Sequence, residues 1–156
     1  MKMDISNKQI EDAGHDTDDA AKVRALCSFL DCEPDDLTKE SYEHYRLDVF
    51  SMGKQEYAIG DEDEAQAAAI ANIKDSAWAF NADFLAGFCE LPEEVFKCLQ
   101  GKCEDSNDAV LSLIEKSGGI QDFAEQAISA DGRGHFLSGY DGNENEEGEF
   151  YIYRTN

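Results

Sequence analysis

The apolar and polar positions of this chain follow two periods, and the change between them predicts an α+β fold. Apolar residues recur every third or fourth position from Ala20 to Leu30, which is typical of an amphipathic helix. From Tyr45 the period becomes two, and apolar residues alternate with polar ones on both sides of residues 52–54, as in a β-hairpin. The same alternation returns near the C-terminus, beside the turn-forming residues 141–145. We therefore predict two hairpins, over about residues 44–60 and 135–154.

Helix signals fill the stretch between the two hairpins. Asp61 and Glu64 have the spacing of a capping box at a helix start. Pro92 and Gly101 bracket a further helix, and Gly118-Gly119 closes another. Because an isolated hairpin is only marginally stable, we expect both hairpins to share one antiparallel sheet. The predicted fold is that sheet packed against a bundle of about four to six helices.

The length of 156 residues fits one domain with a hydrophobic core of its own. Residues 1–17 are polar and aperiodic, and we predict a mobile N-terminal segment there, followed by a single α+β domain over residues 18–156. No apolar run approaches the roughly 20 residues that span a bilayer, and the first residues lack the apolar stretch of a signal peptide. We expect a cytoplasmic protein that does not bind membranes.

The charge of the chain narrows the class of partner. Asp and Glu number 35 against 13 Lys and Arg, which gives a formal net charge of −22. Solubility alone needs a net charge of only about 2 to 8 in a small domain. A surface this negative repels nucleic acid and anionic lipid, and it attracts proteins that bind polyanions. The predicted partner is therefore a basic or nucleic-acid-binding protein, with no direct binding of nucleic acid.

Two groups of acidic residues are candidates for the surface that meets such a partner. A mimic of duplex DNA needs carboxylates in rows, because DNA carries about one charge per 1.7 Å of axis. One group opens a helix and the other lies in the C-terminal hairpin: Asp61, Glu62, Asp63 and Glu64, and Glu144, Glu146, Glu147 and Glu149. On this basis we expect a non-enzymatic acidic binding protein.

A second site lies in residues 130–142, and it supports a different hypothesis. Arg133, His135, Tyr140 and Asp141 offer an anion contact, a general base and an orienting carboxylate, which suits a small enzyme. Turn chemistry explains the same segment, with Gly132 as a helix C-cap, Gly134 as a second flexible glycine and His135 packed as a structural residue. A third alternative is an acidic subunit of a larger assembly.

The five cysteines predict neither a cofactor nor a metal site. Cys27 and Cys98 fall beside apolar residues at helical spacing, so we predict that the cysteines are reduced core thiols. The alternative is a zinc site, because Cys27 and Cys32, like Cys98 and Cys103, have a spacing at the loose edge of zinc-ligand motifs.

The second half of the chain resembles small proteins of bacteriophages and other mobile elements, a group with no assigned activity. The resemblance rests on residues 131–138, which read DGRGHFLS, and on Tyr140-Asp141-Gly142 and the closing Phe150-Tyr151-x-Tyr153-Arg154. Residues 78–81, which read WAFN, fit the same pattern. The resemblance implies no activity, but it favours a role in host takeover or anti-defence. Together with the acidic charge, it leads us to expect a phage-encoded inhibitor that mimics DNA in the host cytoplasm.

Overall fold

The computed structural model describes residues 5–156, and it confirms the α+β fold. The described helices are α1 (Asn7–Asp12), α2 (Ala20–Leu30), α3 (Glu62–Asp75), α4 (Ala82–Cys89), α5 (Glu93–Gln100), α6 (Asn107–Ser117), α7 (Ile120–Asp131) and α8 (Arg133–Leu137). The described strands are β1 (Thr38–His44), β2 (Leu47–Met52), β3 (Gln55–Asp61), β4 (Asn145–Glu147) and β5 (Phe150–Arg154).

All described strands belong to one antiparallel sheet with the order β1-β2-β3-β5-β4. Strands β2 and β3 form the first predicted hairpin, with Phe50 opposite Tyr57. Strand β5 pairs with β3 on one side and with β4 on the other, and it places Ile152 opposite Ile59. The two hairpins therefore share one sheet, as the sequence predicted.

The structure corrects the limits of both hairpins. A third strand, β1, precedes the first hairpin and pairs with β2. The backbone reverses between β1 and β2 at Tyr45 and Arg46, whose φ angles are 50° and 73°. The predicted first strand of the C-terminal hairpin is wrong at His135, which lies in α8, and the strand β4 begins only at Asn145. In α8 the Ser138 amide donates to the Gly134 carbonyl at 2.8 Å, which closes a helical turn.

The chain divides into two compact units, and the division falls inside α3. The first unit contains the chain up to Ala68 together with Arg133–Asn156, and the second is Ala69–Gly132. The single domain predicted for residues 18–156 stays a prediction.

In the first unit, α1 and α2 cover one face of the sheet. Buried side chains from the helices meet those of β2, β3 and β5 in one core, which includes Ile10, Val23, Leu26, Phe50, Ile59 and Ile152. Residues 5–17, predicted to be mobile, contain α1, where Ser6 and Gln9 form a capping box and Ile10 is fully buried. Residues 1–4 of the predicted mobile segment lie outside the described residues.

The second unit is helical, and its core is centred on Phe123 of α7. The rings of Phe80, Phe84 and Phe88 meet this buried ring edge-on, with centroids 5.1–5.4 Å apart. Pro92 and Gly101 bracket α5 as predicted, and Gly118 and Gly119 separate α6 from α7. None of the helices described in either unit has the length and apolar character needed to cross a membrane.

Candidate functional site

Arg133 joins the two acidic groups that the sequence analysis treated as separate. It is the first residue of α8, and its side chain is only 9% exposed. Its guanidinium donates to Glu62 through Nη1 at 2.5 Å and Nη2 at 3.2 Å. It also donates to Glu144 through Nε at 2.7 Å and Nη2 at 3.3 Å. The start of α3 and the loop before β4 are thus held by one arginine through two bidentate ion pairs.

Aromatic and amide groups complete this arrangement. The Arg133 guanidinium carbon lies 4.6 Å from the centre of the Tyr151 ring, and Nη1 is 3.4 Å from the Gln66 amide oxygen. The Tyr153 hydroxyl donates to Glu144. We call these residues the Arg133 cluster: Glu62, Gln66, Arg133, Glu144, Tyr151 and Tyr153. The carboxylates, the amide and the Tyr151 ring occupy the guanidinium, which therefore cannot serve as the anion contact of the enzyme hypothesis.

The pKa values in the cluster show how strongly its charges interact. Burial lowers the pKa of Arg133, but the hydrogen bonds that it donates to Glu144 and Glu62 offset this effect, and the pKa ends above its usual value. The hydrogen bond from Arg133 lowers the pKa of Glu62. Burial, and then the hydrogen bond to Glu144, raises the pKa of Tyr153. The raised pKa of Arg133 and the lowered pKa of Glu62 keep this ion pair charged across the neutral range.

The remaining predicted acidic residues fall into two classes. Some make contacts within the first unit: Asp61 and Glu64 form the predicted capping box, Glu64 also pairs with Lys22, and Glu147 accepts from the Ser28 hydroxyl. The others are exposed and have no hydrogen bond or ion pair within residues 5–156. We call these the outer carboxylates: Asp63, Glu146 and Glu149.

The structure does not bring together the four residues of the predicted enzyme site. His135 is exposed, with its ring edge-on to Phe136, so the prediction that it is packed as a structural residue is wrong. Tyr140 is 56% exposed, and the Arg154 guanidinium lies 3.5 Å from its ring centre. Asp141 accepts from the Asn143 backbone amide and from the Ser138 hydroxyl, which hold its pKa below the usual value. No hydrogen bond or ion pair links these four side chains anywhere in the described chain.

The cysteines follow the prediction only in part. Cys27, Cys32 and Cys89 are buried, whereas Cys98 and Cys103 are exposed, and none of the five forms a disulfide. Cys98 lies two residues after the buried Phe96, and two residues turn a helix by about 200°, so the thiol falls on the opposite face of α5. Among residues 5–156, no group of three or more His, Cys, Asp and Glu side chains has the geometry of a metal site.

Thiol reactivity tests this division of the cysteines. We expect Cys98 and Cys103 to react rapidly with Ellman's reagent in the native protein, and Cys27, Cys32 and Cys89 only after unfolding, because burial blocks the reagent. The variant Cys98→Ser should remove half of the rapid phase. Rapid reaction of all the cysteines in the folded protein would contradict the burial described here.

Sequence reasoning proposed Glu62, Arg133 and Glu144 of the Arg133 cluster as site residues but missed how they are connected. It did not include Gln66, Tyr151 or Tyr153 as site residues, and it assigned Arg133 to the enzyme hypothesis. A usable signal was present, because Arg133 is the only Lys or Arg between Lys116 and Arg154, in a segment rich in carboxylates. A lone cation in such a segment has a high chance of pairing within the fold.

Comparison of the chain with protein families, with curated proteins and with solved structures gave no match.

Proposed function

We propose that this protein is a non-enzymatic acidic binding protein that engages a basic, nucleic-acid-binding protein by presenting carboxylates in place of phosphates. The observation that carries the proposal is the net charge of −22 together with its distribution. Ion pairs within residues 5–156 use only a minority of the carboxylates: Asp12, Asp19, Asp48, Glu62, Glu64, Glu93 and Glu144. The uncompensated negative charge favours association with a positive surface and speeds it.

The outer carboxylates are the surface we assign to the partner. Asp63 lies in the first turn of α3, Glu146 in β4 and Glu149 immediately before β5. These elements belong to one unit, and the Arg133 cluster links the first turn of α3 to the hairpin of β4 and β5. A set of carboxylates on a preformed scaffold loses less conformational entropy on binding than carboxylates on a mobile tail.

The resemblance to phage proteins gives this proposal its biological setting. An inhibitor encoded by a phage would meet defence or regulatory proteins of the host that bind DNA, in the host cytoplasm. A DNA mimic binds such a protein on its phosphate-binding surface and blocks access of the nucleic acid. The expected partner is therefore a protein whose complex with DNA and whose complex with this chain exclude each other.

Competition with DNA tests the proposal. The immobilised full chain is incubated with bacterial lysate, and the retained proteins are challenged with duplex DNA. We expect DNA to displace these proteins. We also expect the variant Asp63→Asn/Glu146→Gln/Glu149→Gln to retain a much smaller amount of them. The matched control Glu90→Gln/Glu104→Gln/Asp105→Asn removes the same charge from exposed positions of the second unit and should retain nearly as much as the wild type. Retained proteins that DNA cannot displace, or equal losses in both variants, would contradict the proposal.

A further inference from the structure

A cleft of about 430 Å³ lies within the second unit. It is formed by the 3₁₀ turn Ala77–Ala79, the start of α4 and one face of α5. Its lining combines aromatic rings with hydrogen-bond acceptors: Trp78, Phe80, Asn81, Asp83, Glu93 and Gln100. A volume of this size is within the range of about 300–1,000 Å³ that ligand sites occupy.

The aromatic part of the cleft is held rigidly. The Trp78 amide donates to the Asn107 side-chain oxygen at 3.0 Å. The carbonyls of Trp78 and Phe80 both accept from Gln100 Nε2, at 3.0 and 2.5 Å. Phe80 also packs against the buried ring of Phe123. Trp78 and Phe80 are each half-buried, so part of each side chain still reaches solvent.

The polar side chains that line the cleft are mainly hydrogen-bond acceptors. Asp83 is exposed and makes no ion pair within the described chain. Asn81 stands at the start of α4, but its side chain does not cap the helix. Gln100 uses its amide nitrogen on two carbonyls, which leaves its oxygen as an acceptor. The one cation lining the cleft in the described chain, Lys97, pairs with Glu93 at 3.3 Å, and both side chains are well exposed.

From this combination we infer that the cleft binds an arginine side chain of a basic partner protein. A guanidinium is flat and weakly hydrated, so it stacks on aromatic rings and donates in several directions at once. Trp78 and Phe80 provide the rings, and Asp83, Glu93 and the amide oxygens provide acceptors around them. A lysine ammonium matches this lining less well, because it is a compact, strongly hydrated charge.

The inference concerns a different unit from the outer carboxylates, and it does not require the proposed function to be correct. Binding of the arginine would displace Lys97 from Glu93, an exposed pair that contributes little to stability. Removing this competitor with Lys97→Met should therefore strengthen binding.

Trp78 provides the readout, since it is the only tryptophan in the chain. The full protein is titrated with the peptide acetyl-Gly-Arg-Gly-Arg-Gly-amide, and with the same peptide carrying citrulline, the uncharged isostere of arginine. We expect a saturable change in Trp78 fluorescence with the arginine peptide. The citrulline peptide should bind with an affinity lower by about tenfold or more. The same peptide with lysine in place of arginine should have an affinity between those of the arginine and citrulline peptides.

The variant Asp83→Asn/Glu93→Gln should weaken binding of the arginine peptide by about five- to tenfold. Its control is Glu104→Gln/Asp105→Asn, which removes the same charge from exposed positions of the same unit outside the cleft. Circular dichroism checks that both variants are folded. Equal responses to the arginine and citrulline peptides, or equal weakening in the variant and its control, would overturn the inference. Either result leaves the competition experiment with DNA unaffected.

Discussion

Replacing Arg133 with methionine is expected to lower the free energy of unfolding by about 2 kcal/mol, because it removes charge-assisted hydrogen bonds and leaves the partly buried Glu144 carboxylate without its cation. Glu62 and Glu144 would keep their charges next to each other without the cation between them. The side chain of Glu144 is only 28% exposed, so water cannot fully replace the lost hydrogen bonds. Methionine retains much of the apolar contact with Tyr151, which confines the change mainly to the charge.

Urea unfolding of the wild type and three variants measures this effect. Arg133→Lys keeps the charge but loses the bidentate geometry, and its stability should lie between those of the wild type and Arg133→Met. The triple variant Arg133→Met/Glu62→Gln/Glu144→Gln should recover much of the loss, since no unpaired charge is left behind. If the free energy of unfolding of Arg133→Met lies within about 0.5 kcal/mol of the wild-type value, the Arg133 cluster does not contribute measurably to stability.

Replacing Gly134 with alanine should lower the free energy of unfolding by about 2–3 kcal/mol. Gly134 is buried in α8, where alanine would otherwise favour the helix by about 1 kcal/mol. A methyl group there would lie 2.5 Å from the Gly142 carbonyl oxygen and 2.6–2.7 Å from backbone atoms of Asn143 and Glu144. Backbone atoms cannot rotate away as a side chain can, so the steric term exceeds the gain in helix propensity.

Gly87→Ala is the matched control, because Gly87 lies in α4 with open space around the position of its added methyl group. We expect this variant to be more stable than the wild type by up to about 1 kcal/mol. Thermal unfolding followed by circular dichroism compares the two substitutions. A stabilising Gly134→Ala would show that residues 142–144 do not approach α8 as closely as described.

Local signals in the sequence predicted a large part of the fold. The capping box of Asp61 and Glu64 and the C-cap at Gly132 are made as expected, because each depends on residues a few positions apart. Strand β1 was missed because its residues are mostly exposed, so the strand has no apolar alternation to detect. Helix α8 was missed because its five residues are too few to show a helical period.

The site was harder to predict than the fold because it depends on residues far apart in the chain. Glu62 and Glu144 were each identified as members of acidic groups, but their common partner was assigned elsewhere. The sequence shows the charge of each segment, but it does not show which segments lie in contact in the folded protein. Gly134 illustrates the same limit: turn chemistry explained it as a flexible residue, whereas the structure needs it for the close approach of residues 142–144.

The position of β5 in the sheet has a consequence for how the chain folds during synthesis. Strand β5 lies between β3 and β4, so the sheet cannot be completed until residues 150–154 have left the ribosome. Residues 69–132 are continuous and emerge earlier, which allows them to fold first. Until β5 has been synthesised, the edge of β3 that later pairs with it is unpaired, and an unpaired edge can pair with another chain. The nascent protein is therefore most exposed to aggregation in the interval between the synthesis of β3 and that of β5.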